Sequence, residues 1–270
     1  MELINEGYSS CAYRDGDYII LVGKNENSYA NYEKLYHIYK FLNGRITSVE
    51  VPFSVKKFEP CKEYPYGALR TEWIYGSVLD YQHLDKFNKA NFIDKIVSFI
   101  MELYVIDITA YDYDFDIVEY RKNMMMTVDA NIEILKDYLN DEEILKLVNW
   151  RRKYKRYLNS FDDYHFIHGD MWYENFIFSE DYQNLIGIID WENARIDDPA
   201  VDLAALSCIS PDIVDKIIER LSFLSDDIKD RVKLHSELKD LLSLEYILRY
   251  ESKNDFRALV KKIKESTIFE

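Results

Sequence analysis

Apolar and polar residues alternate over residues 3–22 with the period of two that strands impose on a half-buried chain. Asp15-Gly16, lying between residues 11–14 and 18–22, is a two-residue hairpin signal. The period then changes. Tyr29, Tyr32, Leu35, Tyr36, Tyr39 and Leu42 recur at helical spacing, and Asn43-Gly44 stops the run. Residues 49–73 return to strand-like sequence broken by Pro52, Pro60 and Pro65. From residue 84 onward apolar stripes predict helices over 84–108, 117–139 and 142–158, and later over 200–210, 213–224, 228–250 and 255–265. Between these helical blocks lie three short apolar runs, 164–167, 176–178 and 185–189, which predict buried strands of one small sheet. The pattern is α+β, a small β-rich part followed by a larger, mostly helical one.

The short strands frame an unusual set of polar residues. His168-Gly169-Asp170-Met171-Trp172-Tyr173-Glu174-Asn175 is followed by Ile188-Ile189-Asp190-Trp191. Two carboxylates and an amide on closely linked loops suit phosphoryl transfer from a nucleotide. One carboxylate orients the attacking hydroxyl, and an oxygen pair holds Mg²⁺ on the phosphates.

These residues closely resemble the aminoglycoside phosphotransferase family, the antibiotic-kinase branch of the protein-kinase-like fold. His-Gly-Asp with Asn five positions after the Asp, then Ile189-Asp190-Trp191, then Asp198-Pro199-Ala200-Val201-Asp202-Leu203-Ala204 match its three blocks in order and spacing. The resemblance implies a bilobal fold, with residues 1–73 as a nucleotide-binding lobe and 74–270 carrying the catalytic loop and substrate site. It implies Asp170 as catalytic base, Asn175 and Asp190 as Mg²⁺ ligands, and His168, Asp198 and Asp202 as structural braces. The co-substrate it implies is ATP or GTP.

The nucleotide half departs from the family. The strand position that normally carries a cation holds Leu21, so Lys24 is the nearest candidate, with Glu33 as the helix carboxylate and its partner expected from the preceding strand. Ser9 and Ser10 occupy the phosphate-loop position. Glu72 lies in the segment that would link the lobes and meet the purine edge. Ile177 and Ile189 are candidates for the floor under the base. For the acceptor, Glu174, Glu192, Asp197 and Glu245 are candidate carboxylates, with Tyr246, Tyr250 and Glu251 nearby on the late helices.

Charge narrows the partners. The 270 residues carry 49 acidic and 34 basic side chains, a net charge of −15. That balance disfavours nucleic acid and anionic membranes and suits a cationic small molecule. Cys11, Cys61 and Cys208 are too few and too widely spaced for a disulfide framework or a zinc site. No basic, apolar leader opens the chain and no run is long enough to span a bilayer, so a cytoplasmic protein is expected; a monomer or weak dimer is expected separately. The function expected is phosphate transfer to an aminoglycoside-like antibiotic, with antibiotic resistance as its setting. The alternatives are a kinase of choline, a sugar, a macrolide or an amino alcohol, and a nucleotide-binding protein with little or no catalysis.

Overall fold

The computed structural model describes residues 1–7, 9–113, 115–250 and 253–269, without the side chains of residues 245, 246, 249, 250, 253 and 267. Two compact units emerge. One comprises Met1–Asp114, His165–Arg195 and Ala205–Phe223; the other comprises Phe115–Tyr164, Ile196–Ala204 and Leu224–Glu270.

The first unit opens with β1 (Glu2–Glu6), β2 (Ser10–Asp15) and β3 (Tyr18–Gly23), then α1 (Ser28–Leu42), β4 (Lys56–Phe58) and β5 (Ala68–Glu72). The five strands form one sheet in the order β1-β2-β3-β5-β4. Asp15 pairs with Tyr18, so the connecting turn is Gly16-Asp17, with Gly16 at φ +63°. Positive φ at the first turn residue alone is the type II′ pattern, which glycine adopts without steric cost. Helix α1 buries Tyr32, Leu35, Tyr39 and Leu42 of the expected stripe together with Ile38 and Phe41, leaves Tyr29 and Tyr36 half-buried, and Gly44 follows its end at φ +73°.

A short strand β6 (Ser77–Val78) leads to α2 (Lys89–Tyr104), shorter than expected because Asn88 caps it by accepting from Asn91 N–H. The site strands are β7 (His165–Ile167), β8 (Phe176–Phe178) and β9 (Leu185–Ile188). They do not form the single sheet expected: β8 sits between β6 and β9, whereas β7 belongs to a separate two-stranded sheet. Glu50 bridges onto β9, accepting from Ile188 N–H at 2.9 Å and donating to Ile186 O at 2.7 Å. Phe92 of α2 packs on Phe176 and Phe178, so the loops after these strands rest on a rigid aromatic floor. Beyond β10 (Arg195–Asp197) and α5 (Ala200–Leu206), α6 (Pro211–Arg220) packs against α2.

The second unit is built mainly from α3 (Ile117–Leu135), α4 (Asp141–Ser160), α7 (Ile228–Tyr250) and α8 (Lys253–Lys264). Asp116 caps α3, and Asn140 with Glu143 forms a capping box on α4. Of the three consecutive methionines only Met125 is buried, since successive helix positions face different ways. Asp198 is fully buried here. It accepts from Arg231 Nη1 at 2.7 Å, Ala200 N–H at 2.9 Å and the Tyr157 hydroxyl, with His235 Nε2 at 3.1 Å. Burial works to raise its pKa, but these partners, led by His235, outweigh that and lower it. Asp197, expected to face a substrate, is instead buried and paired with Arg121 at 2.6 Å.

Leaving a buried carboxylate without its cation costs about 3–5 kcal/mol. Arg231→Met should therefore lower the melting temperature by roughly 10 °C, read by calorimetry; an unchanged melting temperature would show that His235 and Tyr157 suffice for Asp198.

Candidate functional site

The site is assembled by a buried histidine. His168 follows β7 and is fully buried, with Asp170 N–H donating to its Nδ1 at 3.2 Å and its Nε2 lying 3.0 Å from Ile189 O. Both bonds are satisfied together by the neutral ring protonated on Nε2. Burial pushes the pKa of His168 down to about 4. The ring thus ties the Asp170 loop to the residue before Asp190, while Trp191 packs edge-on against it with centroids 4.5 Å apart.

Further bonds close the constellation. Asn175 Nδ2 donates to Asp170 O at 2.9 Å and lies 3.5 Å from Asp170 Oδ2, and Ile189 N–H donates to Asn175 O at 2.9 Å. Gly169 stands at φ +80°, and a Cβ there would collide with the Asn193 carbonyl and Arg195 Nη1. Glycine is needed for the loop to pass that backbone. Asp190 adopts φ +63°, a left-handed conformation that costs a non-glycine residue on the order of 1 kcal/mol or more. Its carboxylate is solvent-accessible yet crowded by protein, and that crowding together with the Asp170 charge raises its pKa. Glu192 is raised too, by burial and then by Asp190.

Among the described residues, His, Cys, Asp and Glu alone form no three-membered metal-binding group. A cation would depend on the Asn175 amide oxygen together with Asp190. Hard oxygen donors of this kind suit Mg²⁺. Two carboxylates that raise one another's cost of ionisation are also relieved by a cation, so the residues fit the ion.

The other candidates divide. Ser9 O accepts from Lys24 N–H at 3.0 Å and from the buried Ser28 hydroxyl at 2.7 Å, fastening the β1–β2 loop to the start of α1. Ser10 is half-buried, and its carbonyl accepts from Gly7 N–H at 2.9 Å. Lys24 Nζ bonds Glu6 at 2.9 Å and Gly7 O at 3.0 Å, on the exposed side of that loop. Glu33 takes its cation not from the preceding strand, as expected, but from Lys57 of β4. The reason is register: Leu21, Leu69 and Lys57 stand side by side on adjacent strands, so the only cation in that row is on the edge strand.

Glu72 is exposed, held by Ser54, with its N–H donated to Phe53 O at 3.0 Å. Ile177 is buried and Ile189 half-buried. Glu174 is exposed beside the Asp170 loop, whereas the side chain of Glu245 lies outside the described residues, as do those of Tyr246 and Tyr250 and all of Glu251. Asp198 and Asp202 are buried in the second unit, Asp202 in the first turn of α5.

Besides Lys57, the residues Lys34 and Arg195 escaped the sequence reading. Lys34 Nζ donates to Glu192 O at 2.6 Å. Burial and then Arg195 lower its pKa to about 8 against the opposing pull of Glu192. Arg195 is buried and donates to Asn193 O at 2.8 Å. Neither belongs to a recognisable motif; the one signal was a lysine adjacent to the helix carboxylate Glu33.

The His168 geometry has a consequence in acid. The unfolded chain takes up a proton at this residue near pH 6.5, whereas the folded one does so only near pH 4. The stability it contributes is full above pH 6.5 and falls as pH drops through that window, by on the order of 3 kcal/mol. His168→Gln should therefore lose less melting temperature than the parent between pH 7 and 4.5; equal losses would refute the neutral bridging histidine.

Comparison with known proteins adds the following. A family model described as the phosphotransferase enzyme family matches residues 1–226. No curated protein sequence matches the chain significantly. Among solved structures, aminoglycoside 2'-phosphotransferase-IIIa in its GDP complex superposes with a TM-score of 0.78 at 17% identity, covering 97% of this chain and 91% of that one. Macrolide 2'-phosphotransferase type I gives 0.62 at 15% identity, covering 97% and 89%. A choline/ethanolamine kinase family protein from Mesorhizobium loti gives 0.65 at 16% identity, covering 99% and 89%.

Proposed function

Because the chain belongs to the phosphotransferase enzyme family and is a small-molecule phosphotransferase with a kinase-like α+β fold, we propose that it transfers the γ-phosphate of ATP or GTP to a hydroxyl of an aminoglycoside-like antibiotic. The observation that carries this reading is the constellation of Asp170, Asn175 and Asp190, bound into one unit through His168.

Residues 1–73 act as the nucleotide-binding lobe and 74–270 as the catalytic and substrate lobe. Ser9 and Ser10 lie along the phosphates, with Lys24 shaping their loop through Glu6 and Gly7. Glu72 marks the linking segment at the purine edge, and Ile177 and Ile189 form the floor under the base. Asp170 accepts a hydrogen bond from the acceptor hydroxyl, aims its oxygen at the phosphorus and takes the proton as the bond forms. Positioning is its main contribution, because a loose transition state asks little of a base. Asn175 and Asp190 are the residues that would hold Mg²⁺. When bound, that ion supplies the charge neutralisation that phosphoryl transfer demands.

The acceptor reading rests on charge and likeness. A net charge of −15 and the carboxylates of Glu174 and Glu192 beside Asp170 and Asp190 favour an acceptor carrying ammonium groups. A structural neighbour with a TM-score of 0.81 at 18% identity was solved with GDP and kanamycin, and another with gentamicin at 0.73. The choline/ethanolamine kinase family neighbour favours a second reading, in which a smaller cationic amino alcohol is the acceptor. None of the described helices is long and apolar enough to cross a membrane.

Nucleotide consumption with Mg²⁺, run separately with ATP and GTP against aminoglycosides, macrolides, choline and sugars, tests the proposal. Stimulation by an aminoglycoside is expected, with Asp170→Ala losing about 100-fold or more in kcat while its melting temperature holds. Wild-type turnover in that variant, or no stimulation by any aminoglycoside, would refute it.

A further inference from the structure

Helix α1 reaches the Asp190 segment through a residue that no motif marks. Glu33 and Lys34 are neighbours, and successive helix positions diverge by about 100°. Glu33 turns to the sheet edge, where Lys57 meets it together with Tyr29 and Glu59. Lys34 turns the other way and donates to the backbone carbonyl of Glu192 at 2.6 Å, joining positions 158 residues apart. On the strand that precedes the helix, the inward position is Leu21, beside Leu69, and neither offers a charge.

The segment Lys34 grips is one that needs holding. Asp190 is at φ +63°, a conformation costly for a residue with a Cβ, and locally the Glu192 N–H bonds its carboxylate. On one side Trp191 is locked, fully buried against His168 and Phe99, with its indole N–H donated to Ile188 O at 3.0 Å. On the other side Ile189 is held by Asn175 and His168, and beyond Trp191 the Glu192 carbonyl is held by Lys34. Other α1 residues also feel this segment: the buried hydroxyls of Tyr39 and Tyr32 are both raised, first by burial and then in part by the charge of Glu192.

We propose that Lys34 is a positioning residue through which α1 holds residues 190–192, and with them the Asp190 carboxylate, in the conformation that phosphotransfer requires. The link is a charge-assisted donor from helix to backbone, distinct from the Lys57–Glu33 pair by which the sheet edge meets the same helix. It rests on the phosphotransfer reading for its purpose, but its geometry can be tested without turnover.

Amide hydrogen exchange on the full-length protein without nucleotide gives the first readout. Ile189 N–H and Ala194 N–H, which donate to Asn175 O and Trp191 O, report on the segment. Losing a hydrogen bond from a charged group is expected to speed their exchange about tenfold or more in Lys34→Met. Lys34→Arg, which keeps the charged donor, should stay within about threefold of the parent on the same scale, and Lys57→Met should match the parent. The second readout is Mn²⁺ affinity in the presence of a nucleoside diphosphate, weakened about tenfold in Lys34→Met and restored by Arg. If the Met variant does not fold, Lys34→Gln should give intermediate exchange. Parent-like exchange in the Met or Gln variant, or equal effects of Lys34→Met and Lys57→Met, overturns the proposal. Faster exchange in the Lys34 variants of a protein that phosphorylates no acceptor would sink the phosphotransfer reading and leave the tether standing.

Discussion

Everything at this site hangs on one neutral imidazole. His168 accepts from the Asp170 amide on one edge and faces the Ile189 carbonyl on the other. Two loops separated by two strands are thereby fixed to each other through a rigid ring with no adjustable torsion between its nitrogens. A protonated ring would lose the first bond, and burial ensures that it stays neutral at physiological pH. The consequence runs outward: Asp170 and Asn175 share a hydrogen bond, Asn175 receives Ile189 N–H, and Asp190 follows directly. Three oxygen-bearing side chains acquire fixed relative positions from local chain alone, which is why the constellation survives in so short a span.

That locality also explains what was legible. Family, α+β class and enzymatic character were readable because His168, Asp170, Asn175 and Asp190 are set by short-range sequence, with only strand-length insertions between them. Helix α1 was readable because Tyr32, Leu35, Tyr39 and Leu42 form a single apolar face. The shared sheet expected for the three short strands was not found, because an apolar run of three residues carries no record of its partner. Asp197 looked like a loop acid available to ligands until Arg121, 76 residues earlier, proved to be its counter-ion. Lys57 and Lys34 were invisible for the same reason: each acts through a partner set by tertiary register, not by spacing.

Charge placement separates two kinds of acidic residue. Asp190 and Glu192 both sit where crowding by protein and a like charge oppose their ionisation, whereas Asp198, fully buried, is surrounded by donors and held low. The second arrangement stabilises a fold. The first spends stability on a cluster of negative charge that only a cation relieves. Helix α1 contributes a positive group bonded to the Asp190–Glu192 stretch, Lys34. Sheet and helix thus divide their tasks: the sheet edge satisfies Glu33, and the helix itself meets the Glu192 backbone through Lys34.

The most direct measurement of the metal assignment is anomalous scattering from crystals grown with Mn²⁺ and a non-hydrolysable nucleoside triphosphate. The expected peak lies between an Asp190 carboxylate oxygen and Asn175 Oδ1, about 2.0–2.4 Å from each, with phosphate oxygens completing the shell. A bound nucleotide whose Mn²⁺ touches neither residue would contradict the roles given to Asp190 and Asn175.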